Sequence, residues 1–177
     1  MAIREHKGLL VLGGSVLFIV GLGFGGLLVS KFFSPFTPPT NLSVSELLAE
    51  SHTLLDKGRL AEAEKSYLSI LKKDPANPEA VTHLGNIASA RGDLAAALRH
   101  YDEALRSDPS YIHALWDKAL VLRDKGDDVG AIQAWDAFVR LVPPDSKDAV
   151  TAKKWIAEGR ERLATQLGAA RNVKRLP

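Results

Sequence analysis

The chain has no cysteine among its 177 residues. That excludes disulfides, thiolate metal sites, a cysteine nucleophile and covalent c-type haem attachment. It fits an oxidising compartment. A strong charge of either sign is missing too. The 23 Lys and Arg against 21 Asp and Glu leave a formal net charge of +2, so no global field points to nucleic acid. There is no P-loop, nucleophile elbow or zinc-protease motif. The five histidines (His6, His52, His83, His100, His113) stand at no recognised metal-ligand spacing. Asp127-Asp128 reads as a helix start rather than a catalytic carboxylate pair. The sequence thus predicts no enzyme: no catalytic residue, no cofactor and no metal.

Charge is absent locally as well. Gly8 to Val29 carries no charged residue and consists mostly of Leu, Val, Ile, Phe and Gly. As a helix it would be roughly 33 Å long, against a bilayer core of about 30 Å. A transmembrane helix is expected over 8–30. A cleaved signal peptide is the rival, but its apolar region is usually about 7–15 residues with an A-x-A-like site behind it. Here Lys31-Phe32-Phe33-Ser34-Pro35 follows. Arg4 and Lys7 before the span slightly outweigh Lys31 after it. This places residues 1–7 in the cytoplasm, in a single-pass topology across the inner membrane, and the rest in the periplasm or outside. Gly21-Leu22-Gly23-Phe24-Gly25-Gly26 has the form G-x-G-x-x-G. It lies inside the span, where a dinucleotide site has no strand–helix context. Gly21 and Gly25 instead form a small-x-x-x-small face for packing membrane helices.

Residues 31–42 contain Pro35, Pro38 and Pro39 and form a semi-rigid stalk. Beyond it the chain repeats. Gly58, Gly92 and Gly126 are 34 apart, as are Ala63, Ala97 and Ala131; Tyr67, Tyr101 and Trp135; and Pro75, Pro109 and Pro143. Four residue classes in phase over three copies signal a helix–turn–helix solenoid. The predicted repeats span about 43–76, 77–110 and 111–144. Helices are expected at Val44–Lys57 with Leu60–Lys72, Pro78–Arg91 with Leu94–Ser107, and Tyr111–Lys125 with Val129–Leu141. Ser43-Val44-Ser45-Glu46 has capping-box spacing, and Asp93 and Asp127 are candidate N-caps. The glycines suit left-handed helix ends. A polar capping helix over 145–167 and a basic tail over 168–177 complete an all-α architecture.

These residues resemble the tetratricopeptide repeat, most fully in the second copy: Val81, Leu84-Gly85, Ala88, Gly92, Ala97, Tyr101, Ala104, Pro109. Glu50, Ile70, Lys118 and Phe138 depart from the pattern and are expected to change local packing only. The resemblance implies a right-handed solenoid that binds peptides or proteins. It implies that the first helices of the pairs line a groove: Leu48, His52 and Leu55; Glu79, Thr82, Asn86 and Ser89; His113, Trp116, Leu120 and Arg123. Trp116 is either an exposed anchor for a partner or a packing residue against the C-terminal helix. Asn86 either bonds a peptide backbone or is plain surface. Receptors of this family that take a chaperone's C-terminal carboxylate use a Lys/Asn/Arg clamp. The corresponding positions hold Leu48, His52, His83, His113 and Asp117, so the clamp is absent.

The expected function is a membrane-anchored scaffold that assembles or stabilises a membrane or periplasmic protein complex. Its partners would be protein subunits and, through the N-terminal helix, the lipid bilayer; nucleic acid is not among them. The alternative is a holding chaperone for an extended client, since the layout is similar to tetratricopeptide factors of cytochrome c maturation, which hold apocytochrome tails. A homo-oligomer built on the Gly21/Gly25 face is a third reading.

Overall fold

The computed structural model describes residues 41–173 together with Val11–Leu12 and Ser15–Val16. The chain divides into two units, Met1–Pro35 and Phe36–Pro177. In the first unit β1 (Val11–Leu12) pairs antiparallel with β2 (Ser15–Val16), Val11 opposite Val16 and Leu12 opposite Ser15. These four residues were expected in a membrane helix, and they are extended. The rest of the predicted span, including Gly21 and Gly25, lies outside the described residues, as do residues 1–7 and the stalk up to Thr40. Among the described residues no helix is long and apolar enough to cross a membrane.

Among the described residues, every regular element of the second unit is a helix. Three pairs, α1 (Val44–Asp56) with α2 (Leu60–Lys73), α3 (Pro78–Ala90) with α4 (Leu94–Ser107) and α5 (Ile112–Asp124) with α6 (Asp128–Val139), precede α7 (Lys147–Val173). Each helix packs on the next within its pair and across to the next pair, and α7 packs on α6.

The turns show why the period is read so clearly. Gly58, Gly92 and Gly126 have φ of 68°, 82° and 78°, a region costly for residues with a Cβ. In each turn the glycine N–H and the next N–H return to the helix just ended. Gly92 donates to the Ser89 carbonyl at 2.9 Å and Asp93 to that of Ala88 at 3.0 Å. The same pairs of bonds recur at Gly58 and Gly126, so all three turns are Schellman motifs. Ser43 and Glu46 form the full capping box. Asp93 and Asp127 accept from the N–H groups of Ala96 and Gly130, each at 2.9 Å.

The repeated aromatics and alanines form the core. Tyr67, Tyr101 and Trp135 are at most 1% exposed, and Ala63, Ala97 and Ala131 are buried beside them. Gly85 marks the closest approach, because a Cβ there would lie 2.6 Å from Tyr101 Cε1. Three of the four departures from the repeat pattern are absorbed locally. Ile70 and Phe138 are buried, and Lys118 reaches across to Asp102 at 2.6 Å.

The last helix continues to Val173 and takes up part of the segment expected as a separate tail. Ala169, Ala170 and Arg171 are good helix formers, and one glycine, Gly168, costs only about 1 kcal/mol. Past its midpoint α7 is tied to α6. The Arg162 guanidinium bonds both carboxylate oxygens of the buried Asp128 and holds its carboxyl below the usual range.

Candidate protein-binding groove

The first helices of the pairs, α1, α3 and α5, bring the predicted groove residues into three stations. At the first station, between α1 and α3, His52 Nε2 lies 3.1 Å from His83 Nε2 and 3.2 Å from Glu79 Oε1. The His83 ring stacks on Tyr67, centroids 5.0 Å apart at 17°. Burial, and then the neighbouring His52, push the His83 imidazole down to about 4, so it is neutral at pH 7. Burial also raises the Tyr67 hydroxyl. Leu48 and Leu55 sit half-buried against the core of the first repeat.

The second station is a cleft of about 370 Å³ between α3 and α5, lined by Asn86, Ser89, Asp117, Leu120 and Asp124, with Tyr101 behind. Asn86 is already engaged: its Oδ1 accepts from the Tyr101 hydroxyl at 2.7 Å and its side chain bonds Asp117. These bonds make Asn86 a buttress of the cleft wall. Burial raises the Asp117 carboxyl, partly offset by Asn86 and then His113. His113 is exposed, with its ring 5.5 Å from Tyr111.

At the third station α7 covers the surface. Trp116 packs on Phe138 at 5.0 Å and on Trp155 of α7 at 5.4 Å, between ring centroids. Arg123 lies over the Trp155 ring at 4.6 Å and over Trp135 at 5.8 Å, a cation–π stack. Trp116 therefore takes the packing alternative, which accounts for its being only partly exposed. Thr82 corrects the expected groove set. It is 1% exposed and donates its hydroxyl to the Pro78 carbonyl at 2.7 Å. A β-branched residue one turn after its acceptor closes this bond readily and leaves nothing for a partner.

Three residues outside the expected groove set prove central to its surface: His83, Asp117 and Trp155. His83 had a signal. It follows Glu79 by one helical turn and lies 31 residues after His52, three short of the repeat, so adjacent repeats bring the two rings together. Trp155 had none, because α7 begins at Lys147 after the last full repeat and no fourth copy carries the phase into it.

A charge-balanced solenoid of helix pairs with glycine turns and a central cleft defines a repeat scaffold. A family profile described as Tetratricopeptide repeat matches residues 48–112 and 82–146, more than half of the chain. The chain belongs to the tetratricopeptide repeat family. No curated protein matches. Among solved structures it is similar to the Sgt2 tetratricopeptide domain from Aspergillus fumigatus, with TM-score 0.62 and 22% identity over 72% of this chain and 83% of that one. It is similar to the type III secretion translocator chaperone SycD of Yersinia enterocolitica, with TM-score 0.63 and 15% identity over 70% and 90%. A third similar structure is PcrH in complex with the chaperone binding region of PopD, with TM-score 0.61 and 20% identity over 69% and 96%. At these identities the likeness concerns the fold.

Proposed function

We propose that this chain is a membrane-tethered tetratricopeptide scaffold whose α1–α3–α5 face holds a protein partner. The observation that carries the reading is the partly open cleft at Ser89 and Leu120, flanked by the exposed His113. It offers apolar and polar contact side by side, the mix found at protein–protein interfaces. Family membership supports a binding role, and the fold is typical of non-enzymatic scaffolds. Tethering rests on the uncharged Gly8–Val29 run. It would hold the groove near an inner membrane, on its periplasmic side, and raise its effective concentration toward subunits of a membrane complex. Purification of the full chain in mild detergent tests this. Stoichiometric membrane subunits should co-purify, and a chain that elutes alone contradicts the scaffold reading.

A second reading, a holding chaperone for an extended client such as an apocytochrome tail, draws on the solved neighbours. SycD is named a chaperone, and PcrH was captured with a chaperone binding region. Substoichiometric, unfolded clients in the same purification would favour it. The lack of Lys or Arg at the clamp positions argues against a free C-terminal carboxylate as the recognised group.

A further inference from the structure

The cluster at the first station has a geometry that peptide binding does not require. His52 stands on α1, and Glu79 and His83 on α3, yet one nitrogen or oxygen from each lies within 4.8 Å of the other two. Both imidazoles present the same atom, Nε2, toward the other, 3.1 Å apart, and Glu79 Oε1 lies 3.2 Å from His52 Nε2. A tetrahedral ion with bonds of about 2.0–2.1 Å has donor–donor edges of roughly 3.3 Å. The two shortest distances therefore already match the edges of a coordination tetrahedron.

We propose that His52, Glu79 and His83 form a binding site for a divalent transition-metal ion of the zinc type, bridging repeats one and two.

The donor set selects the ion class. Two imidazole nitrogens and one carboxylate oxygen suit zinc, cobalt or nickel, whereas magnesium and calcium require oxygen-rich shells. His83 is held by its stack on Tyr67, so its Nε2 is aimed before any ion arrives. Among the described residues His83 Nδ1 has no hydrogen-bond partner. Ring orientation thus comes from packing rather than from the usual second hydrogen bond, and this makes the site moderate rather than tight. The outer side of the cluster is open, with the His52 side chain 43% and the Glu79 side chain 34% exposed. Three protein ligands then leave a fourth position to water or to a group entering from the groove. Because the ligands come from two repeats, a bound ion pins α1 to α3.

The test is zinc titration of the full chain, purified in detergent without a polyhistidine tag, followed by calorimetry and thermal unfolding. Cobalt absorption in the visible serves as the coordination probe. The expected result is one ion per chain, a tetrahedral-type cobalt band and a raised Tm. His52→Gln and Glu79→Gln, both on open side chains, should each weaken zinc at least about tenfold and remove the band. Their circular dichroism should match the parent. His100→Gln is the control, because His100 lies on α4 beside Glu103, and it should bind as the parent does. Absence of saturable one-to-one binding overturns the proposal. So does unchanged affinity in both His52→Gln and Glu79→Gln, which would put the ion elsewhere.

Discussion

Gly85 shows how much a single atom decides here. A methyl group at that position meets the Tyr101 ring edge at 2.6 Å. Tyr101 is 1% exposed and its hydroxyl anchors Asn86. Gly85→Ala should therefore cost about 1–3 kcal/mol in chemical denaturation, and it should disturb the cleft through Asn86. Asp117 makes a different prediction at the same scale. Burial holds its carboxyl above the usual aspartate range. The folded state then holds a proton that the unfolded state has released, so stability falls as pH rises through that window. Asp117→Asn should be more stable than the parent at pH 7, and the difference should vanish below about pH 4. Melting curves across that range check it. An equal gain at all pH values would mean that packing, and not charge, is responsible. Tyr101 was legible in the sequence because Tyr67, Tyr101 and Trp135 recur in phase, and Gly85 because Leu84-Gly85 matches the repeat pattern of the second copy. The fates of Asn86 and Thr82 were not. Both take partners on their own or the next helix, and a groove position in a repeat frame says nothing about such bonds.

Among the elements, α7 carries the least expected role. Its sequence reads as a polar cap, and no fourth copy carries the phase of the repeats into it. Yet Trp155 joins Trp116, Trp135 and Arg123 in one aromatic stack. Trp155→Ala should lower stability by about 2–4 kcal/mol and should open Trp116 to solvent, visible as a red shift in tryptophan emission. No shift would place α7 elsewhere. Arg162→Ala should lower Tm as well, since it strands the Asp128 carboxylate, whose side chain is 6% exposed. The Asp128 carboxyl is depressed in the folded state, so this contribution is present above about pH 4 and is lost as pH falls through its lowered value. The turns are simpler. At Gly92, φ is 82° with open space around the Cα, so Gly92→Ala costs only backbone strain, about 1–2 kcal/mol. Helix pairs and turns could be drawn from the sequence to within two residues because caps and left-handed glycines are local chemistry. The docking of α7 is tertiary, and nothing local announces it.

At the scale of the molecule, three pairs and a last helix divide the groove into a histidine cluster, a central cleft and an aromatic block already filled by the chain itself. A partner then finds its contacts on α1, α3 and the first half of α5. The direct measurement is photo-crosslinking of the full chain in membranes, with a photoreactive residue placed singly at Leu55, Ser89 and His113. Leu68, exposed on α2, is the comparison position. The account predicts one common protein captured from all three groove positions and absent from Leu68. Capture from Leu68 alone, or different proteins at each position with none shared, would contradict it.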